Sequence, residues 1–243
     1  MKDKRGTHVG VIISFLIFIT FIVFLFSITQ PVTKVKRDKL DLLEYLKVEL
    51  LNKFSDDLTK VVVSFTEGRL ATCVKFKLFD EELQGLEAVV KRVDANEIET
   101  SIKSSVDDKK NTIIHTGETT SKKLNFYYSL WFISEAQAPC STPEEREYKI
   151  ELYRTTKNIF ENKIINIGNE IKSSSEYYEE LKDELGIGLD DNFGFNLTDC
   201  NKNSIAGTIE PDISIDIYSE EIPIQYIDSE ANIKPGFLTI RVW

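Results

Sequence analysis

An uncharged apolar run near the N-terminus constrains this chain more than any other feature. From Val9 to Ile28 the sequence reads VGVIISFLIFITFIVFLFSI, and its polar side chains are limited to two serines and one threonine. A helix of about 20 residues rises about 30 Å, which matches the hydrocarbon core of a bilayer. The run therefore predicts a transmembrane helix over 9–28, preceded by a basic leader over 1–8.

A cleaved secretory signal peptide is the alternative reading of such a run. Its apolar core would span about 7–15 residues and end at a small-x-small cleavage site. The observed run is longer, and the residues that follow it, TQPVT, lack an Ala-x-Ala pattern. The sequence therefore favours a helix that is retained in the mature protein.

Charge is divided unevenly along the chain, whose formal net charge is −10. Residues 1–39 carry a net charge of +5, and the remaining residues carry −15. Basic residues lie on both sides of the apolar run, so the positive-inside rule is nearly balanced, and the basic cluster at 34–39 suits lipid phosphates. The acidic remainder argues against nucleic acid as a partner. We expect a single-pass protein of the cell membrane whose large C-terminal domain lies outside the cytoplasm.

A second helical pattern follows the apolar run, and it predicts an amphipathic juxtamembrane helix within 29–58. Pro31 is expected to end the membrane helix. The apolar residues that follow at spacings of three and four are Leu40, Leu43, Leu46, Leu50 and Phe54. This helix either packs on the C-terminal domain or nearly continues the membrane helix as one long stalk.

The rest of the chain predicts an α+β fold in which most strands are antiparallel. Alternating and aromatic segments favour a β-rich subdomain over 59–135, and a proline-containing break follows at 134–143. The remaining α+β subdomain, 144–243, contains one long helix over 160–185 and a hairpin around Asp228.

Residue patterns that specify a reaction are missing from the sequence. Its two histidines are His8 and His115, and no Gly-x-Ser-x-Gly, Walker or Cys-x-x-Cys motif is present. Residues 190–192 with Asp199 offer oxygen ligands for Ca²⁺, although EF-hand spacing is missing and a solvated acidic loop is the expected reading. We therefore expect a protein that is not an enzyme and holds no cofactor or metal.

Two modifications are expected if the C-terminal domain is exported. Cys140 and Cys200 lie in polar loop sequence and are the expected disulfide pair, whereas Cys73 lies on a strand; three free thiols are the alternative. Asn196 begins an Asn-Leu-Thr sequon, which predicts N-glycosylation.

The N-terminus resembles a type IV prepilin signal. Lys4, Arg5 and Gly6 form a short basic leader that ends in glycine, and Thr7 and the apolar run follow at once. By this resemblance a prepilin peptidase cuts between Gly6 and Thr7. The chain has Val11 at the position where the bacterial pattern has glutamate.

The overall plan also resembles an archaeal type IV pilin-like or pseudopilin-like protein. Segments 177–187 and 223–243 look similar to parts of such proteins. The resemblance implies a structural or interaction protein that assembles with like subunits through its N-terminal helix, with Gly10 and Ser14 giving a small-x-x-x-small contact. A membrane-tethered binding or envelope-scaffold domain is the alternative, and an ectoenzyme is the third possibility.

Overall fold

The structure is a computed structural model that describes most of the chain. The described residues are 6–65, 73–76, 83, 86–94, 96–106, 112–115, 123–133, 144–145, 147–188, 190–208 and 217–243. The leader residues 1–5 and Cys140 lie outside this set, as do the side chains of Thr7, His8 and His115.

The N-terminal helix α1 is continuous from Gly6 to Phe54, a length of 49 residues. The expected end at Pro31 is therefore wrong: α1 continues past it as one long helix, and its C-terminal part also packs on the domain. A proline inside a helix removes one backbone hydrogen bond and costs about 3 kcal/mol, so the helical segments on both sides of Pro31 outweigh this cost. Strand β1 begins at Ser55, so the amphipathic helix ends four residues before the predicted Leu58.

The remainder is α+β, as predicted, with twelve strands and two further helices in the described ranges. The strands are β1 (Ser55–Phe65), β2 (Cys73–Phe76), β3 (Glu87–Val93), β4 (Glu99–Val106), β5 (Thr112–His115), β6 (Lys123–Ser129), β7 (Glu144–Glu145), β8 (Tyr148–Phe160), β9 (Phe193–Asp199), β10 (Ser204–Gly207), β11 (Tyr218–Ile227) and β12 (Ile233–Val242). The helices are α2 (Glu161–Ser173) and α3 (Ser175–Glu184).

The single long helix expected over 160–185 is wrong, because Ser174 divides it. Ser174 has an extended backbone, with φ −141° and ψ 116°. Its side-chain oxygen accepts a hydrogen bond from the Tyr177 amide at 3.1 Å, so it caps α3. Serine favours such an N-cap over a helix interior, and the strand β8 runs on to Phe160 before α2 begins.

All strands belong to one sheet with the order β10-β9-β12-β11-β8-β1-β6-β3-β4-β5-β2-β7. The pairs are antiparallel except β8–β11 and β2–β7. Strand β1 pairs with β8 from Ser55 opposite Ile159 to Phe65 opposite Tyr148. The expected subdomains 59–135 and 144–243 therefore share a sheet across the break in the sequence.

One end of the sheet curls back on itself around an aromatic core. The ring of Phe76 in β2 lies 5.1 Å from that of Phe126 in β6 and 5.6 Å from that of Phe65 in β1. These strands are not adjacent in the strand order, so the contacts require β2 to fold over β1 and β6.

The other end of the sheet is covered by helices. Four buried residues of α1 enter this core, namely Leu43, Leu46, Leu50 and Phe54. They pack with Ile164 and Ile167 of α2, Leu181 of α3 and the inner faces of β9 and β12. The predicted apolar face of the amphipathic helix is thus confirmed at four of its five positions, and Leu40 is 45% exposed.

Three hairpins turn through one five-residue geometry, at Asp94–Ile98, Asp199–Asn203 and Asp228–Asn232. In each turn the Oδ1 atom of the first aspartate accepts hydrogen bonds from the third and fifth backbone amides at 2.8–2.9 Å. The fourth residue of each turn has a positive φ, between 58° and 65°. The hairpin predicted around Asp228 is confirmed, and its carboxylate fixes the turn.

The two faces of α1 predict different responses to truncation. Leu50→Ala removes a fully buried side chain and should lower the free energy of unfolding by about 2–5 kcal/mol. The control Leu40→Ala changes an exposed leucine of the same helix and should cost less than about 1 kcal/mol. Denaturant titration of the full chain in detergent, followed by circular dichroism, measures both, and equal losses would contradict the packing described.

Candidate functional site: the exposed half of helix α1 and a buried lysine cluster

The N-terminal half of α1 exposes an apolar surface on every side. Fifteen large apolar side chains between Val9 and Phe26 are each at least 40% exposed. The segment Val9–Ser27 has a mean hydropathy of 3.0, and none of it is buried by the rest of the protein. This helix is long and apolar enough to span a membrane.

The expected packing residues lie one turn apart on this exposed segment. A Cβ atom built on Gly10 meets no atom within 4 Å, and Ser14 is exposed. Farther along, the Thr20 hydroxyl donates to the carbonyl oxygens of Leu16 and Ile17 at 3.0 and 2.9 Å, which satisfies it inside the helix. Gly10 and Ser14 thus leave room for the close approach of another helix, as small residues do.

The C-terminal half of α1 is held to the domain by packing and by three lysines. The Nζ atoms of these lysines lie 2.5–2.6 Å from carboxylates of α3, β11 and the loop before β9, in the pairs Lys53–Glu184, Lys47–Glu220 and Lys39–Asp191. Partly exposed pairs of this kind contribute at most about 1 kcal/mol each. The buried leucines and Phe54 therefore provide most of the attachment, and the ion pairs fix the rotation of the helix.

A second polar contact secures the junction between α1 and β1. The Oδ2 atom of Asp56 accepts hydrogen bonds from Trp131 Nε1 at 2.8 Å and from Lys163 Nζ at 2.9 Å. Lys163 also donates to the Ser55 carbonyl oxygen at 2.8 Å. Burial alone would raise the pKa of Asp56, but these hydrogen bonds and the charge of Lys163 outweigh it and lower the pKa.

The acidic residues considered for Ca²⁺ do not come together. Asp191 pairs with Lys39 before β9 begins, whereas Asp199 ends that strand and binds the amides of its own turn. An extended strand of this length separates them by roughly 20 Å. Among the described residues no group of three His, Cys, Asp or Glu side chains is placed to hold a metal ion.

The cysteines differ from the expected pairing. Cys200 is a free, exposed thiol whose Sγ donates to the Pro235 carbonyl oxygen at 3.3 Å. Cys73, at the start of β2, is disulfide-bonded. The predicted Cys140–Cys200 bridge is therefore wrong, because the β9–β10 turn directs the Cys200 thiol towards β12.

The sequon residue Asn196 lies in the middle of β9, between β10 and β12. Its Oδ1 atom accepts a hydrogen bond from Ser204 Oγ at 2.7 Å, and the residue is half-buried. Its glycosylation stays a prediction.

A buried lysine forms the centre of a polar cluster that the sequence did not reveal. Lys91 of β3 is only 3% exposed, and its Nζ atom donates to the Ala231 carbonyl oxygen and to Asn232 Oδ1, both at 2.8 Å. Glu99 Oε2 lies 3.6 Å away. The Nζ atom also lies 5.2 Å from the ring centre of Tyr127. The cluster thus joins β3, β4 and β6 to the β11–β12 turn.

Glu99 accepts hydrogen bonds from the cluster residues of β6, Asn125 and Tyr127. Its Oε1 atom accepts hydrogen bonds from Asn125 Nδ2 at 2.6 Å and Tyr127 OH at 2.7 Å, and Lys60 Nζ lies 3.3 Å away. Burial alone would raise the pKa of Glu99, but these donors lower it. Burial lowers the pKa of Lys91, although Glu99 and Asp228 oppose this shift. Burial and the nearby Glu99 raise the pKa of Tyr127.

Comparisons of the chain with protein-family models, with curated proteins and with solved structures find no match.

The lowered pKa of Asp56 predicts a loss of stability in acid. Its carboxylate stabilises the fold above the ordinary carboxyl pKa, and this contribution is lost as the pH falls from about 4 through the folded pKa. Asp56→Asn should therefore lower the melting temperature at pH 7 and have a smaller effect near pH 3. The neighbouring Asp57, which is exposed, provides the control Asp57→Asn. Equal effects of the two substitutions across this range would contradict the assignment.

Proposed function

We propose that this protein is a single-pass, membrane-anchored structural or interaction protein, a pilin-like subunit that displays its α+β domain outside the cytoplasm. The observation that carries the proposal is the division of α1 into an exposed apolar half and a half built into the domain core. A water-exposed helix of this composition is unfavourable, since fully burying one large apolar side chain contributes about 1.5–3 kcal/mol. Lipid or the apolar helices of like subunits would cover it.

The continuity of α1 favours assembly through the helix. A rigid helix that enters the domain core fixes the direction of the domain relative to the membrane segment. Subunits whose helices pack side by side through Gly10 and Ser14 would then hold their domains in a repeating arrangement. The basic leader with Gly6 and Thr7 supports processing by a prepilin peptidase before such assembly.

The cysteine chemistry supports an outside location of the domain. Disulfides form and persist in oxidising compartments, and Cys73 is disulfide-bonded. The acidic net charge of the residues beyond the basic juxtamembrane segment fits a domain that stands away from anionic lipid headgroups.

The free thiol of Cys200 provides a test of this topology without an engineered label. A membrane-impermeant maleimide added to intact cells should modify the protein at Cys200, because the thiol is exposed. The control Cys200→Ser should remove the labelling. Labelling that appears only after the cells are permeabilised would place the domain in the cytoplasm and contradict the proposal.

The pilin-like part of the proposal predicts a shortened N-terminus. Intact mass of the membrane-extracted protein should show loss of residues 1–6 in cells that contain a prepilin peptidase, and Gly6→Leu should retain them. A wild-type protein that keeps Met1 would contradict a pilin-like subunit. If Cys200 were still accessible from outside, that result would favour the membrane-tethered binding or scaffold domain.

A further inference from the structure

Lys91 and Asn232 are placed for a covalent reaction that neither the fold nor the proposed function requires. We propose that the Lys91 side chain forms an intramolecular isopeptide bond with the Asn232 side chain. The two groups are already in contact, with Nζ 2.8 Å from Oδ1. The residues are 141 positions apart in the sequence, so the bond would join β3 to the β11–β12 turn across the intervening strands.

Burial makes the Lys91 ammonium group easier to deprotonate, although Glu99 and Asp228 oppose this shift in its pKa. The side chain is almost completely buried, and burial disfavours its charged form. The Ala231 carbonyl oxygen, 2.8 Å from Nζ, holds the nitrogen beside the amide. Glu99 Oε2 at 3.6 Å is the nearby base that receives a proton from the ammonium group.

Asn232 is held equally firmly as the electrophile. Its backbone amide donates to Asp228 Oδ1 at 2.8 Å, and its side-chain Nδ2 donates to Asp228 Oδ2 at 3.0 Å. The same carboxylate receives Lys234 Nζ at 2.8 Å, which keeps it in place. Because the fold already holds both reactants in place, the reaction does not incur the entropy loss of bringing two free molecules together.

The reaction balances without an added reagent. Lys91 Nζ transfers one proton to Glu99 and attacks Asn232 Cγ, forming the new C–N bond of a tetrahedral intermediate. The bond between Cγ and Nδ2 then breaks. The departing nitrogen takes up the protons released by the lysine, with Asp228 beside it as the relay, and leaves as ammonium. No atom is oxidised or reduced, and the product is a secondary amide that keeps the Asn232 carbonyl.

A second buried lysine offers an internal comparison. Lys182 Nζ lies 3.4 Å from Asn192 Oδ1, and its carboxylate partner Glu179, at 3.5 Å, is 59% exposed. The contact between Lys182 and Asn192 is longer than the 2.8 Å contact between Lys91 and Asn232. Glu179 is also more exposed to solvent than Glu99. We expect Lys182 to stay unmodified, so it serves as the control lysine within each sample.

Mass spectrometry of the full chain in detergent tests the bond directly. After reduction and alkylation, the mass should be lower by about 17 Da, the mass of ammonia, than the sequence predicts for the same N-terminus. Tryptic digestion should yield a branched species that joins the peptides containing Lys91 and Asn232, with no cleavage after Lys91. Cleavage after Lys182 should be complete.

Three substitutions and a control separate the bond from general effects on folding. Lys91→Arg, Asn232→Ala and Glu99→Gln should each abolish the mass deficit, the last because the base is lost. Lys60→Arg is the control, because Lys60 contacts Glu99 but is not one of the two proposed reactants. This variant should keep the full mass deficit.

A wild-type protein of full mass with complete cleavage after Lys91 would overturn the proposal. Deamidation of Asn232 with a free Lys91 would overturn it as well. If Lys91→Arg or Asn232→Ala fails to fold, the wild-type peptide map and Glu99→Gln still decide the question. None of these outcomes depends on membrane topology or on leader processing.

Discussion

The packing of the last turns of α1 against the sheet is the interaction on which the rest of the structure depends. Leu46, Leu50 and Phe54 are fully buried, and Phe54 contacts Phe195 with ring centres 4.9 Å apart. Because the helix has no break, this one contact surface sets where the exposed apolar half points. The direction of the exposed apolar half relative to the whole domain thus follows from a few buried side chains.

Sequence patterns located the elements whose signals are local. The apolar run and the leucine spacing predicted both halves of α1, and the strand-like segments on either side of Asp228 predicted the β11–β12 hairpin. The failures also have local causes. Pro31 does not end α1, because the segments on both sides of it are helical. Ser174 interrupts the predicted helix, because serine is more favourable as an N-cap than inside a helix.

The lysine cluster was beyond sequence reasoning because its members meet only through the sheet. Lys91 lies on the short strand β3, next to Arg92, and lysine side chains are ordinarily exposed to solvent. Its burial depends on the β11–β12 turn, whose position is set by the strand order and by the contact of β8 with β1 and β11. The pairing state of Cys73 and Cys200 was likewise decided by where distant strands and turns lie, not by the polarity of their flanks.

The direct passage from α1 into β1 has a mechanical consequence. Strand β1 lies between β8 and β6, in the interior of the sheet. Tension applied through the N-terminal helix therefore reaches the middle of the sheet, not an edge from which strands could be unzipped one at a time. The buried side chains of α1 must first separate from the core. The hydrogen bonds that pair β1 with β6 and with β8 must then break together. The domain is thus arranged to resist a load that enters through its own N-terminal helix.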